Sequence, residues 1–142
     1  MDRGVSSNRF PSLEPQEQMA VRKALEEWAA REHRRVTFGD LVNRWSGFVR
    51  SVESGYRFSI EEYANDLSTR DVIDDILDLV SDPPRSKLLD SLGPWDRRYL
   101  AATRPVSKAV YFRPGAPRER WFRIPTRLVG QLLEDVQNGE LL

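Results

Sequence analysis

Five aspartates, Asp71, Asp74, Asp75, Asp78 and Asp82, are the residues of this sequence whose type and spacing come nearest to doing chemistry. On an α-helix, turning 100° per residue, they fall within about 100° of arc. Asp74, Asp75 and Asp78 make an Asp-Asp-x-x-Asp pattern, and carboxylates one turn apart suit a hard cation. A magnesium site also needs converging ligands and a substrate phosphate, and the chain offers no second acidic motif, so the sequence predicts no metal and no cofactor. Two readings of the row remain. It is a solvated face behind Val72, Ile73, Ile76, Leu77 and Val80, or it is a protein-binding face for a cationic partner. Like charges at these spacings cost roughly 0.2–0.5 kcal/mol per pair on an isolated helix, so a cation from elsewhere in the chain or from a partner would relieve the row.

Other chemistry is scarcer. There is no cysteine, which removes disulfides, thiolate metal sites and a cysteine nucleophile, and there is one histidine, His33, at the end of a helical stretch where it suits the helix dipole. No nucleophile elbow, Walker loop or dinucleotide glycine pattern is present. The expectation is a protein that is not an enzyme.

The charges are segregated although the net charge of the 142 residues is zero. Residues 61–95 carry nine acids and three bases, whereas residues 96–127 carry nine bases and two acids. Within the second segment, Arg97, Arg98, Arg113, Arg118, Arg120, Trp121 and Arg123 interleave cations with an aromatic, a chemistry suited to nucleic acid or to an acidic partner. Because Trp121 and Phe122 are consecutive in an expected strand, they should face opposite sides, leaving one as a contact residue. A neutral chain is a weak candidate for phosphate binding, and a helix-turn-helix at 37–68 would present Glu61, Glu62 and Asp66 to the phosphates. Docking of the chain's own arginines onto the acidic row is a further possibility.

The elements that must position these residues are mostly helical. Residues 1–14 have no apolar period and read as a loosely held arm. Pro15 starts a helix to about Arg35 with Val21, Leu25 and Trp28 as its stripe. Thr37 and Asp40 cap a second helix carrying Phe38, Leu41, Val42, Trp45, Phe48, Val49 and Val52, which should stop at Gly55. Ser59 and Glu62 form a capping box flanked by Phe58 and Tyr63, opening a short third helix, and a further cap at Ser68 starts a fourth that runs to Pro83 and Pro84. Asp82 then caps a short helix ending at Gly93, followed by another over Trp95 to Thr103. Alternation at Val106, Val110 and Phe112, and again over Arg120 to Ile124, predicts a β-hairpin at about 106–124 with a basic tip. Thr126 caps a last helix with Leu128, Val129, Leu132, Leu133 and Val136 on its inner face.

The fold class that results is mainly α. It is a small domain of about six or seven helices over residues 15–142, a helical bundle with a two-stranded β-hairpin near the C-terminus. No stretch has the roughly 18 apolar residues of a membrane span and no apolar block follows Met1, so cytoplasmic residence is expected. Trp28, Trp45, Phe48, Tyr63 and Trp95 lie in apolar periods and should be core. The functional expectation is an intracellular protein-interaction module, in its most concrete form an immunity protein or antitoxin that captures a basic partner on the acidic face. A nucleic-acid-binding protein using residues 97–127, or a structural homo-oligomer, is the alternative.

Overall fold

The computed structural model describes residues 12–110 and 117–139. Among them, six helices and a two-stranded antiparallel sheet follow in the order α1 (Pro15–Glu32), α2 (Phe38–Ser54), α3 (Ile60–Leu77), α4 (Pro84–Ala101), β1 (Thr103–Pro105), α5 (Arg118–Trp121), β2 (Arg123–Pro125) and α6 (Gly130–Gly139). The protein is mainly helical with a short sheet near the C-terminus, as its periodicity implies.

Local signals set most of the helix starts. The Thr37 hydroxyl accepts from the Asp40 amide at 3.1 Å, and the Ser59 hydroxyl accepts from the Glu62 amide at 3.2 Å, so both caps satisfy backbone donors that the first turn leaves open. Glu14 and Glu17 form a reciprocal capping box ahead of Pro15. α1 stops at Glu32, three residues before Arg35, because His33 takes a left-handed conformation at φ 56°. α2 stops at Gly55, whose φ of 120° is open to glycine and strained for other residues.

α2 is the axis of the core. Trp45 and Val49 are fully buried on it, and Leu41, Val42 and Val52 are nearly so, packed with Leu67, Ile73 and Ile76 of α3 and Leu88, Leu92 and Tyr99 of α4. Trp28, Phe48, Tyr63 and Trp95 join the same cluster. Tyr63 meets Phe48 and Tyr56 edge to face, and Phe58 leans on Tyr56 while staying 56% exposed.

Several sequence boundaries differ, each for a tertiary reason. Residues 60–77 are one helix, not two, because the Ser68 hydroxyl donates back to the Asn65 carbonyl and does not cap a new helix. α4 runs through Gly93 and Pro94, where burial of Leu92 and Trp95 on either side outweighs the missing amide of the proline. α6 begins at Gly130 and not after Thr126, whose amide donates to the Ala102 carbonyl while Leu128 makes an isolated bridge to Tyr56. A side chain at Gly130 would meet the Arg57 carbonyl at 2.9 Å.

The hairpin is the largest correction. Thr103, Arg104 and Pro105 pair with Pro125, Ile124 and Arg123, so the sheet starts before the expected strand, and Arg118–Trp121 is a helical turn where the second strand was expected. Val106 and Val110 donate backbone bonds to Phe122 and Trp121 without forming a strand. Residues 111–116, which include Phe112, and 1–11 of the expected N-terminal arm lie outside the described residues.

Candidate functional site

Trp45 on α2 and Trp121 on α5 are the two ends of an unbroken chain of polar side chains through the middle of the protein. The Trp45 indole donates to Asp96 Oδ1 at 2.9 Å. Asp96, on α4, accepts a bidentate pair from Arg70, Nε to Oδ1 at 3.0 Å and Nη2 to Oδ2 at 2.9 Å. Arg70 turns its Nη1 to Asp74, one turn along α3. Asp74 also accepts from Nη2 of Arg120, and the same nitrogen reaches Asp71 Oδ1 at 3.0 Å. Asp71 Oδ2 accepts the Trp121 indole at 2.8 Å.

Arg70, Asp71, Arg120, Trp45 and Trp121 are all buried, so water contributes little to their solvation. Burial works against the charge of the Arg70 guanidinium, but the hydrogen-bonded Asp96 and then Asp74 outweigh it and hold its pKa above the ordinary value. Beneath the chain, the Tyr99 hydroxyl donates to the Arg120 carbonyl at 2.9 Å and lies 3.3 Å from the Tyr63 hydroxyl. Burial pushes Tyr99 up to about 12, with Tyr63, Arg123 and Arg120 working the other way, and it pushes the wholly buried Tyr63 well above its usual value. Every carboxylate of the chain already has two or more donors, so its chemistry is that of a tie between α2, α3, α4 and α5.

The aspartates named from sequence therefore separate. Asp71 and Asp74 belong to the tie, and Asp75 is exposed on α3. Asp78 is the C-cap of α3, one turn beyond Asp74, with Arg85 Nη2 at 3.6 Å and 71% of its side chain exposed. Asp82 lies beyond α3 and accepts from the amide and the hydroxyl of Ser86, which lowers its pKa. The five aspartates share no single solvent-exposed face, because Asp71 is covered by Arg120 and Trp121 of α5 and Asp82 lies beyond the end of α3.

The basic residues separate in the same way. Arg98 pairs with Glu53, Nε to Oε2 at 2.8 Å, and lies 4.3 Å from the centre of the Trp95 ring. Arg123 donates to Thr103 Oγ1 and O at 2.8 Å each and to the Leu100 carbonyl at 3.1 Å, which fastens the sheet to the end of α4. Arg120 and Trp121 are in the tie, and of the two aromatics in the expected strand Trp121 is the inner one, with Phe122 half-buried. Arg97 is exposed. Arg113 lies outside the described residues, as does the side chain of Arg118.

No family model, curated protein or solved structure matches this chain.

Geometry must therefore carry the functional reading, and it directs attention to a surface that the sequence did not flag. A groove of about 560 Å³ runs between α1 and the connection from α1 to α2. Leu13, Val21, Leu25, Val36, Phe38 and Leu88 make its apolar lining, and Arg22, Glu26 and Arg35 charge its edge. Leu13, Leu25 and Val36 are only partly buried, although all three pack on the core. The signal available in the sequence was weak. Leu13 and Val36 stand alone in connecting segments, where no period marks an apolar residue as part of a surface. Among the described residues, no group of three or more His, Asp or Glu side chains is placed to hold a metal, and no helix is long and apolar enough to cross a membrane.

Proposed function

We propose that this chain is a non-catalytic protein-interaction module and that the groove beside α1 is its contact surface. The observation that supports this reading is the combination of an apolar lining, open to solvent, with a mixed-charge edge at Arg22, Glu26 and Arg35. Such a surface accepts apolar side chains of a short segment and orients it by charge at the rim. The immunity-protein or antitoxin form, capture of a basic partner by acidic residues, now rests on the exposed Asp75 and Asp78, because Asp71 and Asp74 spend their lone pairs inside the molecule. Nucleic-acid binding through residues 97–127 draws less support, since Arg98, Arg120 and Arg123 each donate to internal acceptors.

Affinity capture with identification by mass spectrometry, run in parallel on the wild type, Leu25→Glu and Asp78→Lys, tests this reading. A partner lost with Leu25→Glu and kept with Asp78→Lys supports the groove. The reverse pattern transfers the function to the acidic residues. Retention by both variants sinks both surfaces, and a salt-dependent affinity for random DNA would restore the nucleic-acid alternative.

A further inference from the structure

The groove beside α1 continues onto the outer face of that helix. Met19, Arg22, Glu26 and Ala29 fall within about 80° of arc there, on the side away from the buried Val21, Ala24 and Trp28. Arg22, Glu26 and Ala29 also line the groove. Met19 stands beside them with 68% of its surface exposed, more than Phe58, Leu89 or Leu100, the other exposed large apolar side chains among the described residues. Arg22 and Glu26 are one turn apart, yet among the described residues no carboxylate pairs with the arginine and no cation with the glutamate. Arginine before glutamate is the weaker order for a pair within one helix.

We propose that the occupant of the groove is a second copy of this chain, with the two α1 helices antiparallel about a twofold axis at the level of Ala24. This rests on the reading of the groove as a contact surface and names the partner for it. The order of the residues supports it, since Arg22 and Glu26 stand equally far on either side of Ala24, and so do Met19 and Ala29. A copy turned about that level sets each Arg22 against the other copy's Glu26. It also sets each exposed Met19 over the small, half-buried Ala29 in the other groove. An isologous interface repeats every contact, so both ion pairs and both apolar contacts form together. A partner of one charge sign would satisfy one member of the Arg22 and Glu26 pair and repel the other, whereas a second copy satisfies both. Arg35, past the end of α1, then lies towards the exposed Glu14 at the start of the other helix. Methionine suits the inserted position, because its unbranched thioether adapts to the shape it meets. The seam is short and half polar, so the dimer belongs to the weak, transient class.

Sedimentation of the full chain from roughly 1 μM to 1 mM tests the proposal, and the mass should rise from one chain to two over that range. Arg22→Glu alone and Glu26→Arg alone each place like charges at both contacts and should raise the dissociation constant by about tenfold or more. Mixed in equal amounts, the two single variants regain opposite charges at both contacts and should dimerise with each other as the wild type does with itself. Arg22→Glu with Glu26→Arg in one chain reverses the charges but keeps their complementarity, and should dimerise like the wild type. All substituted positions are exposed, and far-ultraviolet circular dichroism checks that each variant is folded. Three results overturn the proposal: a single chain at every concentration, a dimer that neither charge reversal weakens, or a weakening that persists in the mixture or in the double variant. The first of these leaves the contact-surface reading standing, because that reading is decided by whether Leu25→Glu loses a captured partner.

Discussion

Asp74 and Asp78 stand one helical turn apart, carry the same carboxylate and follow the same acidic run, yet they end with different partners and different exposure. Asp74 bridges two buried arginines from α3 and α5, whereas Asp78 sits at the end of α3 with most of its side chain in water and Arg85 at 3.6 Å. The difference lies in what packs against each turn. α5 covers the Asp71 and Asp74 turn and brings Arg120 and Trp121 with it, while the chain leaves the helix at Asp78 and heads for Pro83. Repulsion along the row is thus relieved within the molecule at one end and by solvent at the other. The opposite charges of residues 61–95 and 96–127 have the same explanation, since the acidic segment meets the basic one at Asp71, Asp74 and Arg120.

The inner end should be the expensive one to disturb. Asp71→Ala strips the buried Arg120 and Trp121 of an acceptor and should lower stability by roughly 3–5 kcal/mol, read as a large fall in the denaturant midpoint. A fall no greater than that of a surface substitution would break the comparison, because it would mean that Asp71 is solvated. Trp121→Phe keeps the apolar body of the side chain but removes the indole donor, and should cost roughly 1–3 kcal/mol. Ser59→Ala removes the cap of α3, the helix on which both ends of the row depend, and should cost roughly 0.5–2 kcal/mol. Asp78→Lys should change stability by less than about 0.5 kcal/mol, since it alters an exposed residue with one loose partner. Asp74→Lys beside it sharpens the contrast. Placing a third cation between Arg70 and Arg120 should destabilise the fold by clearly more than the same change one turn later, and equal midpoints for the two variants would remove the distinction.

The last expectation is invisible at neutral pH. Tyr63 and Tyr99 have folded pKa values above the ordinary 10, so the folded state keeps them protonated where the unfolded chain would ionise. Their contribution is complete below about pH 10 and is lost as the pH climbs towards about 12, the value for Tyr99. Tyrosinate absorbance should therefore rise for these residues together with loss of tertiary circular dichroism. A smooth titration of all four tyrosines near pH 10 in a chain that stays folded would show that the layer under Arg120 is wet.

Much of the fold was legible because its signals are local. Thr37, Ser59 and Gly55 act within a few residues of themselves, and the apolar periods of α2 and α6 point to the side chains that are in fact buried, including Trp45, Val49, Leu132 and Val136. The same local logic misread Ser68, Gly93 and Pro94 as boundaries, since a breaker is read without knowing that Leu67, Ile73, Leu92 and Trp95 around it will be buried. The groove beside α1 escaped notice because it is built from single residues of separate segments.

By itself, then, the sequence determined that the chain is helical, which residues form its core and that acid and base are held in separate segments. Only the tertiary structure decided which charges meet. The Trp45 to Asp96 bond joins positions 51 apart, and the Arg120 to Asp71 bond joins positions 49 apart, so neither leaves a trace in any short window of sequence. A cap is specified by backbone geometry that its own residues create, whereas an ion pair between α3 and α5 exists only after α2 has buried enough apolar surface to hold both helices in place. Whether a carboxylate is drawn into buried ion pairs or left to solvent is settled by that packing: Asp74 holds two buried arginines with 37% of its side chain exposed, and Asp78, one turn on, is 71% exposed.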